Sequence, residues 1–156
     1  MVKPYYDHAG IILDKEGQEL FTKYKWNFFQ AKPGFVYLSR FDGKKSILFH
    51  RELMSAPPGF CVDHINGNTF DNRKTNLRLC SRTENRLNSK VKKNSKTGFK
   101  GVVAADNKWA ARIYKNNQCF WLGRFSTKEE AAKAYDEKAQ EFFGEFARFN
   151  LRAELA

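Results

Sequence analysis

A polar, basic stretch near the middle of the chain separates two parts with different sequence patterns. Residues 88–97 contain four lysines, no acidic side chain and one apolar residue, which is typical of a linker between folded modules. Both parts are short for a domain of roughly 100–200 residues, so the sequence predicts two small modules joined by a basic linker over residues 89–96. That linker is either a solvated tether or a segment that follows phosphates along a duplex, and its position between two modules favours the second.

The charge of the chain indicates a polyanionic partner. Basic side chains number 28 and acidic ones 17, for a formal net charge of +11, which favours nucleic acid, although acidic substrates and anionic membranes fit the sign as well. No apolar run approaches the ~20 residues of a membrane span, and the first ten residues lack a secretion signal. Three widely spaced cysteines suit a reducing compartment. We therefore expect a cytoplasmic protein without a membrane segment.

Residues 1–50 are predicted to form a small β-meander. Apolar and aromatic runs at residues 10–13, 26–29, 35–41 and 46–50 alternate with turn-forming segments, including residues 14–17. A helical turn is expected near residues 19–24. The aromatic side chains of this region are assigned to a core rather than to a base-stacking surface: Trp26, Phe28, Phe29, Phe35 and Phe41.

Residues 97–156 are predicted to form three antiparallel strands packed on one helix. Residues 99–104, 108–115 and 118–125 alternate like strands. Thr127 and Glu130 form a capping box, an apolar stripe at helical spacing follows, and Gly144 ends the helix. The alternation places Trp109, Ala111, Ile113, Phe120 and Leu122 against the helix, and Ala110, Arg112, Tyr114, Cys119 and Trp121 on an open face.

Residues 60–88 predict a β-β-α unit. A strand over residues 60–65, a turn at 66–68, a second strand at 77–80 and a capping box from Ser81 to Glu84 follow one another. Cys61 and Cys80 flank the two strands; without a partner at ligand spacing they are expected to be small core residues rather than zinc ligands.

The side chains of this unit suit metal-assisted hydrolysis. Asp63 and Asn85 offer oxygen ligands to a hard divalent cation, and His64 beside them can take a proton from water near neutral pH. Asn76 lies twelve residues after His64, where its carbonyl can accept from one imidazole N–H and fix the tautomer. Turn formation alone would explain these Asn and Asp residues in an arbitrary loop, but the ordered pattern favours a catalytic site.

The middle segment resembles the HNH endonucleases with the ββα-metal motif, in the branch typical of phage and intron homing enzymes. The resemblance rests on Val-Asp-His-Ile-Asn-Gly-Asn from residue 62, Asp-Asn-Arg from 71, Asn-Leu-Arg from 76 and Glu-Asn-x-x-Asn from 84. It implies that His64 is the general base, that Asp63 and Asn85 ligate one Mg²⁺ or Mn²⁺, and that Asn76 orients His64. Asn85 stands where other branches have a third His. His50, in the lead-in to the motif, is expected to be structural.

Residues 97–151 resemble the AP2 DNA-binding domain. The resemblance rests on Gly-Phe-Lys-Gly-Val from residue 98, Trp-Leu-Gly-Arg-Phe from 121 and Glu-Ala-Ala-Lys-Ala-Tyr-Asp from 130. It implies that the sheet enters the major groove of DNA with the helix behind it. Val103 and Cys119 stand where plant members usually have arginine, so base preference does not transfer.

The combined prediction is an α+β protein with an HNH domain over residues 1–88 (meander 1–50, ββα core 51–88) and an AP2-like domain over 97–156. We expect a monomeric DNA endonuclease in a bacterial or phage-infected cell. The rival interpretations are a non-catalytic DNA-binding regulator with a relic nuclease fold and an RNA-binding protein. The predicted contacts to double-stranded DNA are Arg73, Arg78, Arg82, Arg86, Lys90, Lys92, Lys93, Lys100, Arg112, Tyr114 and Trp121.

Overall fold

A computed structural model describes residues 5–6, 10–91 and 95–151, and the chain divides into two compact units. Unit 1 is Met1–Asn85 and unit 2 is Arg86–Ala156. The paired strands are antiparallel and combine with helices, which confirms the predicted α+β class. Lys92 and Lys93 of the predicted linker lie outside the described residues.

Unit 1 combines two small sheets and a three-stranded sheet with short helices. Strands β1 (Tyr5–Tyr6) and β2 (Ile12–Leu13) pair and precede helix α1 (Lys15–Lys23). The three-stranded sheet has the order β3 (Asn27–Lys32), β4 (Phe35–Phe41), β5 (Ser46–Leu48), and helix α2 (Phe49–Leu53) continues from it. Strands β6 (Cys61–His64) and β7 (Leu77–Cys80) then pair, a 3₁₀ turn (Lys74–Asn76) precedes β7, and helix α3 (Arg82–Leu87) follows it.

Helix α1 corrects the predicted hairpin turn at residues 14–17. The side chain of Asp14 accepts a hydrogen bond from the backbone N–H of Gly17 at 2.9 Å, so Asp14 is the N-cap of a nine-residue helix. An Asp-Lys-Glu-Gly segment suits a turn and a helix start equally well. The tertiary contacts of Leu20 and Phe21 with the core favour the helix.

The core of unit 1 holds fewer aromatic rings than the sequence predicts. Its centre is Ile11, Leu13, Leu38 and Phe49, all buried, and Trp26 packs on Phe49 at a ring distance of 4.8 Å. Three predicted core residues are instead exposed: Phe28 by 54%, Phe29 by 46% and Phe41 by 70%. The prediction was wrong for these three. Phe28 and Phe29 are exposed because β3 lies at the edge of the sheet and is exposed along its whole length, and Phe41 is exposed at the end of β4.

Unit 2 confirms the predicted sheet and helix. Strands β8 (Val102–Ala105), β9 (Lys108–Lys115) and β10 (Gln118–Phe125) form a sheet of order β10-β9-β8, and helix α4 (Lys128–Phe143) packs on it before a 3₁₀ turn (Gly144–Phe146). Both halves of the capping box at Thr127 and Glu130 are present. The turn residues between the strands have positive φ, as tight hairpins require: Asp106, Asn107, Asn116 and Asn117.

The open face of this sheet matches the alternation with one correction. Tyr114 and Trp121 are 55% and 58% exposed, and Arg112 and Cys119 are exposed as well. Ala110 was also predicted on the open face, but it is fully buried. Its methyl group is short and lies between the register partners Val103 and Arg124, which bury it.

We predict that Gly101→Ala strongly destabilises unit 2. Gly101 has a φ of +70°, and a Cβ there would overlap the Tyr135 ring and the backbone carbonyl of Arg112. We expect a loss of at least ~3 kcal/mol, because overpacking adds to the cost of a left-handed conformation. Gly98→Ala is the matched control: its φ is +75° but its Cβ would meet open space, so about 1 kcal/mol is expected. Urea denaturation of both variants measures the difference, and equal losses would contradict the packing argument.

Candidate active site

The predicted β-β-α unit is present. In the β6–β7 pair Cys61 lies opposite Cys80, Asp63 opposite Arg78 and His64 opposite Leu77. The capping box that starts α3 is formed: Ser81 N–H donates to Glu84 Oε2 at 2.7 Å, and Glu84 N–H donates to Ser81 Oγ at 3.2 Å. The two strands and the helix therefore follow one another as predicted.

The loop between β6 and β7 is closed by side-chain amides. The Asn76 Oδ1 accepts from the backbone N–H of Asn66 at 3.0 Å, and its Nδ2 donates to Asn66 Oδ1 at 3.1 Å and to the Asp71 carbonyl at 2.8 Å. Asn66 Nδ2 in turn donates to Asp71 Oδ2 at 2.9 Å. This loop clamp, formed by Asn66, Asp71 and Asn76, fixes the backbone that follows His64 and the backbone on both sides of Asn72.

The His64 imidazole is buried and contacts Asn72. Its exposed fraction is 5%, and its Nε2 lies 3.3 Å from Asn72 Oδ1. Asn72 Nδ2 donates to the Thr69 carbonyl at 3.3 Å, which turns Oδ1 toward the ring. With Asn72 Oδ1 as the acceptor, His64 Nε2 is the nitrogen that carries the proton in this pair. Burial lowers the pKa of His64 below its usual value, while the Asn72 hydrogen bond opposes that shift.

This geometry corrects the role predicted for Asn76. Asn76 was predicted to be the partner of the imidazole, but its carboxamide belongs to the loop clamp, and the amide that contacts the His64 ring is that of Asn72. Asn72 is 2% exposed. The sequence signal for Asn72 was the Asp71-Asn72-Arg73 segment of the ordered pattern, and that pattern did not distinguish the role of Asn72 from that of Asn76.

Asp63 is held by an ion pair across the two strands. Its Oδ2 accepts from Arg78 Nη2 at 2.7 Å and from Arg78 Nε at 3.1 Å. The side chains are 7% and 10% exposed, so the pair is almost buried. Arg78 was predicted as a phosphate contact; the structure instead places its guanidinium on Asp63.

The oxygen atoms that Asp63 and Asn85 offer are of the kind that binds a hard divalent cation. Among the described residues no group of three or more His, Cys, Asp and Glu side chains is placed to hold a metal ion. Asp63 carries a carboxylate and half-buried Asn85 a neutral amide, and oxygen donors of these kinds, together with water and phosphate oxygens, are what Mg²⁺ accepts. A thiolate site does not fit: Cys80 is buried, as predicted for a core residue, and burial raises its pKa to about 11.

Two aromatic rings that were not predicted as site residues line His64. The His50 ring lies 5.1 Å from the His64 ring, edge to face, and the Tyr37 ring lies 5.2 Å from His50 and 6.3 Å from His64. His50 is 5% exposed, and burial lowers its pKa to about 3. Burial and the Asp63 charge raise the pKa of Tyr37. Both rings are therefore neutral at physiological pH.

The predicted DNA contacts have different surroundings. Arg73 donates to both carboxylate oxygens of Asp71, and the Lys100 ammonium donates to the Leu87 carbonyl at 2.7 Å. These two cations are therefore engaged within the protein. Exposed side chains remain at Arg82, Arg86, Lys90, Arg112, Tyr114 and Trp121.

Unit 2 also has a basic cavity of about 680 Å³. It lies beside β8 and β9, and its described lining contains no acidic residue. The basic residues that line it are Arg86, Lys90, Lys100 and Arg112. An anionic ligand is the kind that this lining favours.

The sequence family follows from comparison with known proteins. The HNH endonuclease family profile matches residues 55–87, the segment of β6, β7 and α3. The chain is also 33% identical over 148 residues to an uncharacterised HNH endonuclease of Acanthamoeba polyphaga mimivirus, an alignment that covers 91% of this chain and 74% of the relative. The chain belongs to the HNH endonuclease family. It is thus a nuclease, with His64 and Asp63 inside the matched segment.

The C-terminal region of this HNH endonuclease is similar to plant AP2/ERF proteins. It is 36% identical over 74 residues to an AP2/ERF and B3 domain-containing transcription repressor of Arabidopsis thaliana, and 44% identical over 61 residues to a dehydration-responsive element-binding protein of the same plant. The alignments cover 47% and 37% of this chain but only 20% and 18% of the plant proteins. The predicted combination of HNH and AP2-like regions is confirmed.

The helices of the described residues are short or polar. No helix within the described residues has the length and apolar character to cross a bilayer.

We predict that the burial of His50 makes the HNH endonuclease less stable as the pH decreases below about 6.5. The unfolded state binds a proton near pH 6.5 and the folded state only near pH 3, so stability is full above pH 6.5 and is lost as pH falls toward 3. From pH 6.5 to 5.5 the loss from His50 alone is about 1 kcal/mol, and below that about 1.4 kcal/mol per unit.

Urea denaturation at pH 7.5, 6.5 and 5.5 measures this effect when the protein is compared with His50→Phe. Because the variant lacks the titrating group, its free energy of unfolding should rise relative to the original by that amount. A difference that stays constant with pH would contradict the prediction.

Proposed function

We propose that this HNH endonuclease hydrolyses phosphodiester bonds of double-stranded DNA with one divalent ion, Mg²⁺ or Mn²⁺, and that it is of the homing type. The observation that carries the proposal is the buried His64 imidazole, fixed by Asn72 and adjacent in β6 to the Asp63 carboxylate. A proton acceptor and an anionic oxygen ligand on one strand are what metal-assisted hydrolysis needs.

His64 acts as the general base in this proposal. With Nε2–H directed to Asn72, Nδ1 takes a proton from the water that attacks phosphorus in line. The lowered pKa keeps the ring unprotonated at pH 7. His50 and Tyr37 pack on the ring and restrict its motion, so that the proton acceptor keeps one orientation.

Asp63 and Asn85 are the residues that would hold the metal. Arg78 fixes the orientation of the Asp63 carboxylate through Oδ2, and the loop clamp fixes the strand end beside it. A bound divalent ion would supply positive charge that stabilises the leaving 3′ oxygen. Cleavage of the bond between phosphorus and the 3′ oxygen yields a 5′-phosphate and a 3′-hydroxyl.

We predict that His64→Ala lowers the cutting rate by about 10²–10⁴-fold, because a general base contributes that much, while DNA binding changes little. The measurement is conversion of supercoiled plasmid to nicked and linear forms with Mg²⁺ or Mn²⁺, beside an electrophoretic mobility shift with the same DNA. Lys15→Ala changes an exposed residue of α1 and controls for differences in activity between protein preparations.

Two results would contradict the assignment. Undiminished cutting by His64→Ala would remove His64 from the reaction, and cutting that persists in EDTA would remove the metal. A protein that binds DNA but never cuts it would instead agree with the regulator hypothesis.

Unit 2 is the DNA-selecting part of the proposed enzyme, which acts as a monomer. Support comes from the similarity to AP2/ERF proteins and from the exposed face with Arg112, Tyr114 and Trp121. Arginine on a sheet face can reach base edges, and the aromatic rings provide apolar contact area. The basic cavity beside β8 and β9 adds positive charge at the same unit.

We predict that Arg112→Ala weakens binding to the preferred sequence by about 1–3 kcal/mol, because one base contact is lost. The preferred sequence is first selected from random duplexes, and binding is then measured against a scrambled duplex. Lys133→Ala is the control, since Lys133 is exposed on α4, the helix that covers the other face. Equal effects of Arg112→Ala on both duplexes would assign it a phosphate contact, and no effect would remove it from the interface.

A further inference from the structure

One face of the β3–β4 pair carries aromatic rings and a lysine. Phe29 lies opposite Tyr37 in the register, and Lys32 lies opposite Phe35 after a bulge. Opposed residues of antiparallel strands point to the same side, and the Lys32 ammonium sits 4.2 Å from the centre of the Phe35 ring. We call the surface formed by Phe29, Lys32, Phe35 and Tyr37 the Tyr37 face.

This face is open to solvent at its outer strand. All six residues of β3 are exposed, and Phe29 keeps 46% of its surface accessible. The described strands of this sheet end at β3, so no described strand covers that edge. Exposed aromatic rings grouped on one face are typical of a binding surface.

The sequence that contains the Tyr37 face carries positive charge and no negative charge. Residues 24–41 contain three basic side chains and no acidic one. Arg40 is engaged by Glu52 through two hydrogen bonds, whereas the Lys32 ammonium lies over the exposed aromatic face. An anionic partner is therefore complementary to the face. A second copy of the same face would bring lysine against lysine, which disfavours a symmetric dimer here.

One end of the Tyr37 face lies beside His64, the candidate general base. The Tyr37 ring lies 6.3 Å from the His64 ring, and Phe29 is one strand farther out, about 4.8 Å across the sheet. A duplex with its scissile phosphate at His64 has its neighbouring nucleotides within reach of this surface. Because the face is continuous with the active site, the partner that fits it is the DNA bound there, and that DNA would extend from His64 toward Phe29.

We propose that the Tyr37 face binds the DNA duplex directly beside the bond that is cut. This inference rests on the proposed function and assigns the N-terminal sheet a part in it. The ring of Phe29 packs on deoxyribose and on the edge of an adjacent base step, as apolar side chains do in the minor groove. Lys32 contacts a phosphate of the same strand.

Neighbouring phenylalanines on β3 provide a matched test. Phe28→Ala and Phe29→Ala remove the same ring from the same strand, and the two rings are 54% and 46% exposed. Phe28 points to the other side, where it lies opposite Leu38 and contacts the Phe70 ring at 6.1 Å. A loss of folding stability would lower the DNA affinity of both variants, whereas the loss of a DNA contact on the Tyr37 face would lower that of Phe29→Ala alone.

The experiment measures binding of the full chain to plasmid-derived duplex by mobility shift, and nicking of supercoiled plasmid with Mg²⁺. Phe29→Ala should bind about 5- to 150-fold more weakly, the range that alanine substitution gives for an aromatic side chain stacked on a base, with Phe28→Ala within about twofold of the original. Lys32→Ala should reduce the slope of log affinity against log salt by about one. Far-ultraviolet circular dichroism verifies the folding of each variant.

The outcomes separate this inference from the proposed function. If the original protein nicks the plasmid and Phe29→Ala binds no more weakly than Phe28→Ala, the face is not a DNA contact. If Phe29→Ala changes the sedimentation coefficient rather than DNA binding, the face joins copies of the chain and the proposal is overturned. Failure of the original protein to bind or cut DNA at all would overturn the proposed function and this inference with it.

Discussion

The site depends on the loop clamp that closes residues 65–76 between the two strands of the ββα unit. A connection of this length carries many backbone donors and acceptors, and a compact loop leaves little water to satisfy them. Asn76 bonds to Asn66 in both directions and to the Asp71 carbonyl, and Ile65 N–H donates to the Asn76 carbonyl at 2.9 Å. These bonds hold Asn72 against His64 and set the end of β6 where the proposed chemistry occurs.

A second constraint is the strand register that pairs Asp63 with Arg78. Both groups are nearly buried, and a buried charge without its partner costs several kcal/mol. The ion pair therefore holds the carboxylate in one orientation and resists a shift of register, which would move His64 as well. His50 and Tyr37 add apolar contact on the other side of the imidazole, so that His64 is held by an amide, a strand and two rings.

Aromatic residues show where local sequence reasoning fails. Trp26 and Phe28 lie two residues apart in one aromatic run, yet Trp26 packs on Phe49 whereas Phe28 is 54% exposed. Alternation places residues two apart on the same side of a strand, so it does not distinguish these two; Trp26 precedes β3, whereas Phe28 lies within this edge strand. In unit 2 the covering helix was itself visible in the sequence, and the bounds predicted for the second and third strands of its sheet are those of β9 and β10.

The sequence alone determined the elements whose signals are local: the capping boxes at Ser81 and Thr127 and the ordered polar pattern from Asp63 to Asn85. It also determined the family, because that pattern is long and specific. Only the tertiary structure decided which asparagine meets His64, that Arg78 binds Asp63, and that His50 and Tyr37 line the imidazole. Asn72 and Asn76 have the same side chain in the same loop, so their roles differ only through the three-dimensional path of the backbone. Such contacts join residues far apart in the chain, and their partners are fixed by packing and register rather than by any local preference.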